Sequence, residues 1–247
     1  MKYLFVVCVN NCGSTLIQRI LGTSNNALRH DSEGQFLVPN NLLPNPVYYK
    51  CGGVWTERSD IFENTIYYNW PEIKRVWHAE WAKKGNLETN ILIEKSPPNV
   101  LRTKLLFKEF FESYFIVSIR NPYVMCQSVK EKVVDDKKIV SRCIKHWVTC
   151  AYKQQQNMDL PNSLTVTYEQ LCENPQNFRY ELIELLPELY DIDLEKEYVI
   201  KDKSSKIINS NKEYLKRLTD EDRIEINNTL IGHEEILEFW GYTIREA

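Results

Sequence analysis

No stretch of this 247-residue sequence stays apolar for anything near the ~20 residues that a membrane-crossing helix needs. The nearest thing to a leader is the opening M-K-Y-L-F-V-V-C-V. Its apolar part is as short as the shortest signal cores, and Asn10-Asn11-Cys12 is not a small-residue cleavage site. The same residues read better as a buried first strand. An excess of one charge is missing too. Against 31 lysines and arginines stand 34 aspartates and glutamates, a net −3, so there is no general basic field for nucleic acid or anionic lipid. Any anion this chain binds must be held by a local site. The seven cysteines, at 8, 12, 51, 126, 143, 150 and 172, are odd in number, and none has C-x-x-C or Cys/His ligand spacing. A disulfide framework and a zinc site therefore lack support, and free thiols fit a reducing compartment. The expectation is a cytoplasmic protein without metal, membrane or nucleic-acid partner.

What is present is an alternation of strands and helices. Residues 3–9 form a continuous apolar, β-rich run, as a central parallel strand covered on both faces requires. Shorter runs at 91–93, 114–119 and 164–167 predict further strands, and 27–29 a short second one. Between them, Leu16, Ile17, Ile20 and Leu21 fall at helical spacing in 14–21, and amphipathic stretches cover 71–84, 100–111 and 139–156. This pattern predicts an α/β fold with a central parallel sheet of about five strands flanked by helices, in one domain spanning 1–247. Residues 39–58 contain three prolines and Gly52-Gly53, and read as a loop that could cover a site. Residues 191–211 are polar with weak periodicity and read as a mobile segment before two final helices.

Two places carry chemistry. In the turn Asn10–Thr15 a single glycine opens a helix directly after the first strand, so backbone N–H groups and the helix dipole converge there on any anion. Ser14 and Thr15 add hydroxyl donors. The nucleoside-triphosphate pattern G-x-x-x-x-G-K-[ST] is not met, since Ser14 stands where its lysine belongs; this disfavours a kinase-like phosphotransferase. Farther on, an apolar strand ends at Arg120, Pro122 opens a helix at a favoured position, and Ser128 follows eight residues after the arginine. Arg120 is thus placed at the carboxyl end of a strand, where open α/β sheets bind ligands.

Together these segments resemble the P-loop-fold sulfotransferases, which take a sulfuryl group from 3′-phosphoadenosine 5′-phosphosulfate. In that family a turn of the type [KR]-S-G-T-T binds the 5′-phosphosulfate, and a strand ending in R-[DN]-P with a serine eight residues beyond binds the 3′-phosphate. The corresponding residues are Asn11, Cys12, Gly13, Ser14 and Thr15, then Arg120-Asn121-Pro122 with Ser128. Glu94-Lys95-Ser96-Pro97 is similar to the family's E-K-[ST]-P, and Thr167-Tyr168-Glu169-Gln170-Leu171 to its R-Y-E-D-L. A closing Gly241-Tyr242 completes the order. The resemblance implies a P-loop-like sulfotransferase fold, the phosphosulfate as donor with no metal, Tyr168 close to the nucleotide, and a small-molecule, sugar or tyrosine acceptor.

Sulfuryl transfer requires a base for the acceptor proton. The chain is more similar to the carbohydrate, protein-tyrosine and bacterial type than to the cytosolic histidine type: Glu33 stands about where the carbohydrate and protein-tyrosine branches place a glutamate, and His30 is the competitor, since cytosolic small-molecule members use a histidine, though from a different part of the chain. One departure matters. Where the family has lysine or arginine before S-G-T-T, this chain has Asn11, which can donate a hydrogen bond but supplies no charge. The resemblance offers Lys95 as compensation. The competing reading is a binding-only module of the same fold. His78, His146 and His233 read as structural or solvated rather than catalytic, and Trp55, Trp70, Trp77 and Trp81 as core rather than acceptor platform. Cys12 reads as a small loop residue, although a helix N-terminus can lower a thiol pKa.

Overall fold

In the computed structural model, which describes every residue except 48, 51, 52, 65, 67, 89, 134, 135, 201, 202 and 245–247, the first strand β1 runs over Lys2–Cys8. Leu4 through Cys8 are wholly inaccessible to solvent, so both faces of this strand are covered. It is the centre of a five-stranded sheet with β2 (Ala27–Arg29), β3 (Ile91–Lys95), β4 (Ser113–Ile119) and β5 (Ser163–Thr167), in the order β2-β3-β1-β4-β5. All four pairings are parallel. Because the chain builds one half of the sheet and then crosses over β1 to build the other, the strand order reverses beside β1. The carboxyl ends of β1 and its neighbours therefore open onto one crevice.

Parallel strands need crossover helices, and the apolar stripes supply them. Helix α1 (Ser14–Leu21) follows β1, and α3 (Trp70–Ala82) lies between β2 and β3 after a one-turn helix α2 (Ser59–Phe62). Next come α4 (Asn99–Glu109), α5 (Pro122–Lys130) and α6 (Ile139–Asn157). Helix α6 buries Val140, Cys143, Ile144, Trp147 and Ala151, the stripe its spacing predicts. Its buried Gln154 donates from Nε2 to the carbonyls of Val7 at 2.7 Å and Ser118 at 2.9 Å. A buried carbonyl left unpaired would cost ~1–3 kcal/mol, so this amide holds together the ends of β1 and β4. Trp55, Trp70, Trp77 and Trp81 are all buried in the core, as expected. No helix among the described residues is long and apolar enough to cross a membrane.

After β5 the chain forms α7 (Tyr168–Glu173), α8 (Pro175–Leu185), α9 (Asn211–Leu215), α10 (Asp220–Leu230) and α11 (Glu234–Phe239). One expectation needs correcting here. Within the polar stretch 191–211, β6 (Tyr198–Ile200) and β7 (Lys203–Ser205) pair as an antiparallel hairpin, and Ser210 and Asn211 at the end of the stretch are hydrogen-bonded to Arg120. The described part of 39–58 is largely irregular, as expected, with a 3₁₀ turn at Trp55–Arg58; Cys51 and Gly52 lie outside the described residues.

Candidate active site

The β1–α1 turn leaves the start of α1 uncapped, an arrangement that can receive an anion. Gly13, the residue before α1, is left-handed with φ 93°, and no side chain caps the helix start. Helices α5, α7 and α10 are instead capped by Asn121, Thr167 and Thr219, whose side chains occupy their first amides. Gly13 is required twice over: for its φ, and because a Cβ would stand 2.6 Å from Cδ2 of Tyr168. Ser14 is buried and Thr15 half-buried at the mouth of the helix. Asn11 is left-handed too, with φ 60°. Cys12 is fully buried, and burial pushes its thiol well above the usual range, so the helix N-terminus does not make it a reactive thiolate.

Asn10 anchors the turn to the loop ahead of it. Its Nδ2 donates to the Gly53 carbonyl at 3.0 Å, so its Oδ1 must accept from His146 Nε2 at 2.7 Å. That leaves His146 Nδ1 to accept from the Thr56 hydroxyl at 2.8 Å.

Arg120 lies just past β4, 5% exposed. Its guanidinium donates to the Asn11 carbonyl at 3.2 Å, Asn211 Oδ1 at 2.8 Å and Ser210 Oγ at 2.8 Å. It also sits 3.8 Å from the centre of the Tyr168 ring. Every one of these partners is neutral, and among the described residues no carboxylate lies within ion-pair reach of it. Tyr168 is set in place by a capping box: Thr167 Oγ1 accepts from Gln170 N at 3.2 Å, and Gln170 Oε1 accepts from Thr167 N at 2.9 Å. The carboxylate that follows Tyr168 in the chain, Glu169, is engaged by Asn121 N at 3.1 Å, Asn211 Nδ2 at 2.6 Å and the Tyr242 hydroxyl at 2.8 Å. The closing Gly241-Tyr242 thus braces the wall behind the arginine. Ser128 is buried on α5.

At the ends of β2 and β3 a second cluster forms. Lys95 pairs opposite Val6 of β1, and its Nζ lies 2.6 Å from Glu33 Oε1. Glu33 Oε2 accepts from Gln35 Nε2 at 2.6 Å. Beneath them Glu94, fully buried, accepts from Gly34 N at 3.0 Å, from Ser96 Oγ at 2.5 Å and from Asn99 Nδ2. Burial raises its carboxyl above the ordinary value. Gly34 cannot carry a side chain here, since a Cβ would meet Glu94 Oε1 at 2.6 Å and Trp77 at 2.9 Å. The Gly34 carbonyl accepts from Trp77 Nε1 at 2.9 Å. Gly34 is thereby clamped on both polar groups, which positions Glu33 beside it.

His30 points elsewhere. It is 1% exposed, its ring is stacked on Trp81 at 4.2 Å, and among the described residues neither ring nitrogen has a hydrogen-bond partner. Burial, with Lys84 nearby, lowers its pKa to about 3; burial alone does the same to His146. The consequence for stability has a definite sign. Above the unfolded value near 6.5 folded and unfolded chains are both neutral at these rings. Below it the unfolded chain takes up protons that the folded chain refuses, so stability falls with acidity down to about pH 3, by up to ~1.4 kcal/mol per pH unit for each ring. Glu94 acts oppositely, but only nearer its own range. Replacing His30→Phe keeps the stack and removes the titration. Denaturant unfolding at pH 6 and pH 5 should lose ~1 kcal/mol less stability in the variant; an unchanged pH dependence would contradict the neutral, buried ring.

Sequence reasoning missed three contributors. Ser210 and Asn211 clasp Arg120 from a segment without periodicity. Lys132, beyond α5, donates from Nζ to Asn11 Oδ1; a lone exposed lysine carries no sequence signal. Apart from Ser128, for which no contact with the others is seen among the described residues, the other predicted residues gather at the carboxyl ends of the strands in two groups: the turn with Arg120 and Tyr168, and Glu33 with Lys95.

Known proteins share this architecture. The structure resembles the sulfotransferase domain from the curacin biosynthetic pathway, at 17% identity and TM-score 0.58, with 99% of each chain covered. It also resembles the sulfotransferase domain of the Synechococcus PCC 7002 olefin synthase, at 17% identity and TM-score 0.53 over 94% of each chain. A sulfotransferase from Alicyclobacillus acidocaldarius matches at 11% identity and TM-score 0.57, covering 97% of this chain and 95% of that one. At such identities the likeness is one of fold. No curated protein matches the sequence. The sequence itself, over residues 4–188, matches the model of a sulfotransferase family, a span that contains the turn, Glu33, Lys95, Arg120, Ser128 and Tyr168, and the chain belongs to that family.

Proposed function

We propose that the protein transfers a sulfuryl group from 3′-phosphoadenosine 5′-phosphosulfate to a hydroxyl or amine of a small-molecule, sugar or tyrosine acceptor. The observation that carries this reading is Arg120, a buried cation that among the described residues is met by neutral oxygens and by the rings of Tyr168 and Tyr214. A buried charge without a counter-ion is costly, and a phosphate group supplies what is missing in a bidentate geometry that suits guanidinium. In this reading Arg120 and Ser128 hold the 3′-phosphate, and Tyr168 flanks the nucleotide. The amides of Asn11–Thr15, with the Ser14 and Thr15 hydroxyls, hold the phosphosulfate.

The acceptor atom attacks sulfur and its proton passes to the Glu33 carboxylate. The sulfur–oxygen bond to phosphate breaks, and its electron pair remains on the phosphate oxygen of adenosine 3′,5′-bisphosphate. Protonation of Glu33 dissolves its pair with Lys95 and frees the ammonium to face that growing charge. Burial against Trp81 fits His30 for holding α3 against the end of β2, and shields its ring nitrogens from an incoming acceptor.

The test is transfer of sulfur-35 from labelled donor to a panel of phenols, sugars, amines and tyrosine peptides. Labelled product with release of the bisphosphate is expected from at least one class. Donor bound and retained, with no transfer to any class, would favour a binding-only module.

A further inference from the structure

We propose that Arg102 and Gln35 form a positioning relay for the base: Arg102 fixes the sense of the Gln35 amide, and Gln35 holds the Glu33 carboxylate for proton transfer. The inference rests on the reading above, in which Glu33 takes the acceptor proton.

The parts come from three elements. Gln35 lies in the 3₁₀ turn Gly34–Phe36 that follows Glu33, and Glu94 lies near the end of β3. Asn99 and Arg102 stand three apart at the start of α4, and so on one face of it. Gln35, Glu94, Asn99 and Arg102 are each at most 1% exposed, whereas the Glu33 side chain is 22% exposed. The cluster therefore opens to solvent at the base.

Arg102 sets the direction of the contacts, because a guanidinium donates and never accepts. Its Nε donates to Asn99 Oδ1 at 2.8 Å and its Nη2 to Gln35 Oε1 at 3.4 Å. Each amide must then turn its NH2 the other way, and each meets a carboxylate there. Asn99 Nδ2 donates to Glu94 Oε2, and Gln35 Nε2 donates to Glu33 Oε2 at 2.6 Å. The path closes through the backbone, since Glu94 Oε1 accepts from Gly34 N at 3.0 Å, beside Glu33. Flipping the Gln35 amide would set donor against donor at Arg102 and oxygen against oxygen at Glu33, two repulsive contacts where water does not screen them.

In the resting site Glu33 is held on both oxygens, Oε1 by Lys95 and Oε2 by Gln35. As the acceptor proton arrives the pair with Lys95 dissolves, and the Gln35 amide is the side-chain contact that remains. A displacement of about 1 Å can cost a reacting group much of its effect. Gln35 therefore serves the rate through Glu33, and Arg102 through Gln35.

A double-mutant cycle separates this role from a structural one. In single-turnover transfer at saturating donor, Gln35→Met should slow the unmutated protein about tenfold, as for loss of one hydrogen bond to a charged group. It should slow Glu33→Gln no further, because the base it positions is gone. Arg102→Lys loses the fork that meets both amides and should show the same dependence on background. Calorimetric affinity for adenosine 3′,5′-bisphosphate should be equal in all of these proteins. Gln35→Glu keeps the shape of the side chain and its contact with Arg102, and so serves where Gln35→Met does not fold; it turns an oxygen toward Glu33 and should be at least as slow. Equal slowing by the Gln35 variants in both backgrounds, or slowing in neither, would overturn the relay and leave Glu33 as the base. Full rate in Glu33→Gln itself, or no transfer by the unmutated protein to any acceptor class, would instead overturn the reading on which the relay rests.

Discussion

Replacing Arg120 with alanine should raise the dissociation constant for adenosine 3′,5′-bisphosphate by a factor of ~30–1000, the ~2–4 kcal/mol typical of truncating one partner of a buried charge pair. The same side chain also holds Ser210 and Asn211 against the turn, so the variant's fold must be checked by circular dichroism and unfolding before affinity is compared. Arg120→Lys separates the two contributions: it keeps a cation but loses the fork that meets Asn211, Ser210 and Asn11 together. An intermediate affinity is expected for it. Unchanged bisphosphate affinity in a folded Arg120→Ala protein would mean that this arginine meets no phosphate.

The second large effect is on rate. Glu33→Gln keeps the shape of the carboxylate and its contact with Gln35 while removing the base, so the single-turnover rate at saturating donor should fall ~10²–10⁴-fold. Bisphosphate affinity should hardly change, because Glu33 serves the acceptor. Lys95→Ala should lower the rate by more than it weakens ground-state binding, since the charge it meets grows only as the bond to phosphate breaks. His30→Phe is the control. If Glu33→Gln keeps its full rate while His30→Phe loses it, the base is His30, and its burial against Trp81 must give way when the acceptor binds.

How far the sequence reached can be judged from particular residues. The strands were legible because β1, β3 and β4 are buried on both faces and so read as unbroken apolar runs. The residues just past them were legible because a parallel sheet gathers strand ends at one edge, which brings Gly13, Lys95, Arg120 and Tyr168 to a common crevice although they are scattered along the chain. The different surroundings of His30 and Glu33 were not legible. They are three residues apart on an irregular segment, and what separates them is tertiary: Trp81 of α3 takes the histidine ring, while Gln35 and Lys95 hold the carboxylate. The clasp of Ser210 and Asn211 on Arg120 was hidden for a similar reason. It is made by single hydrogen bonds across about 90 residues, from a stretch whose polarity suggested only solvent.

The central claim is that one end of the crevice reads a 3′-phosphate, and the most direct measurement compares thermal stabilisation by adenosine 3′,5′-bisphosphate and by AMP. At 100 times its dissociation constant a ligand adds ~2.7 kcal/mol to the stability of the protein that binds it. The account predicts a clear rise in the unfolding temperature with the bisphosphate and a much smaller one with AMP at the same concentration. Equal stabilisation by the two nucleotides would contradict it, because Arg120 and Ser128 would then be reading nothing that AMP lacks.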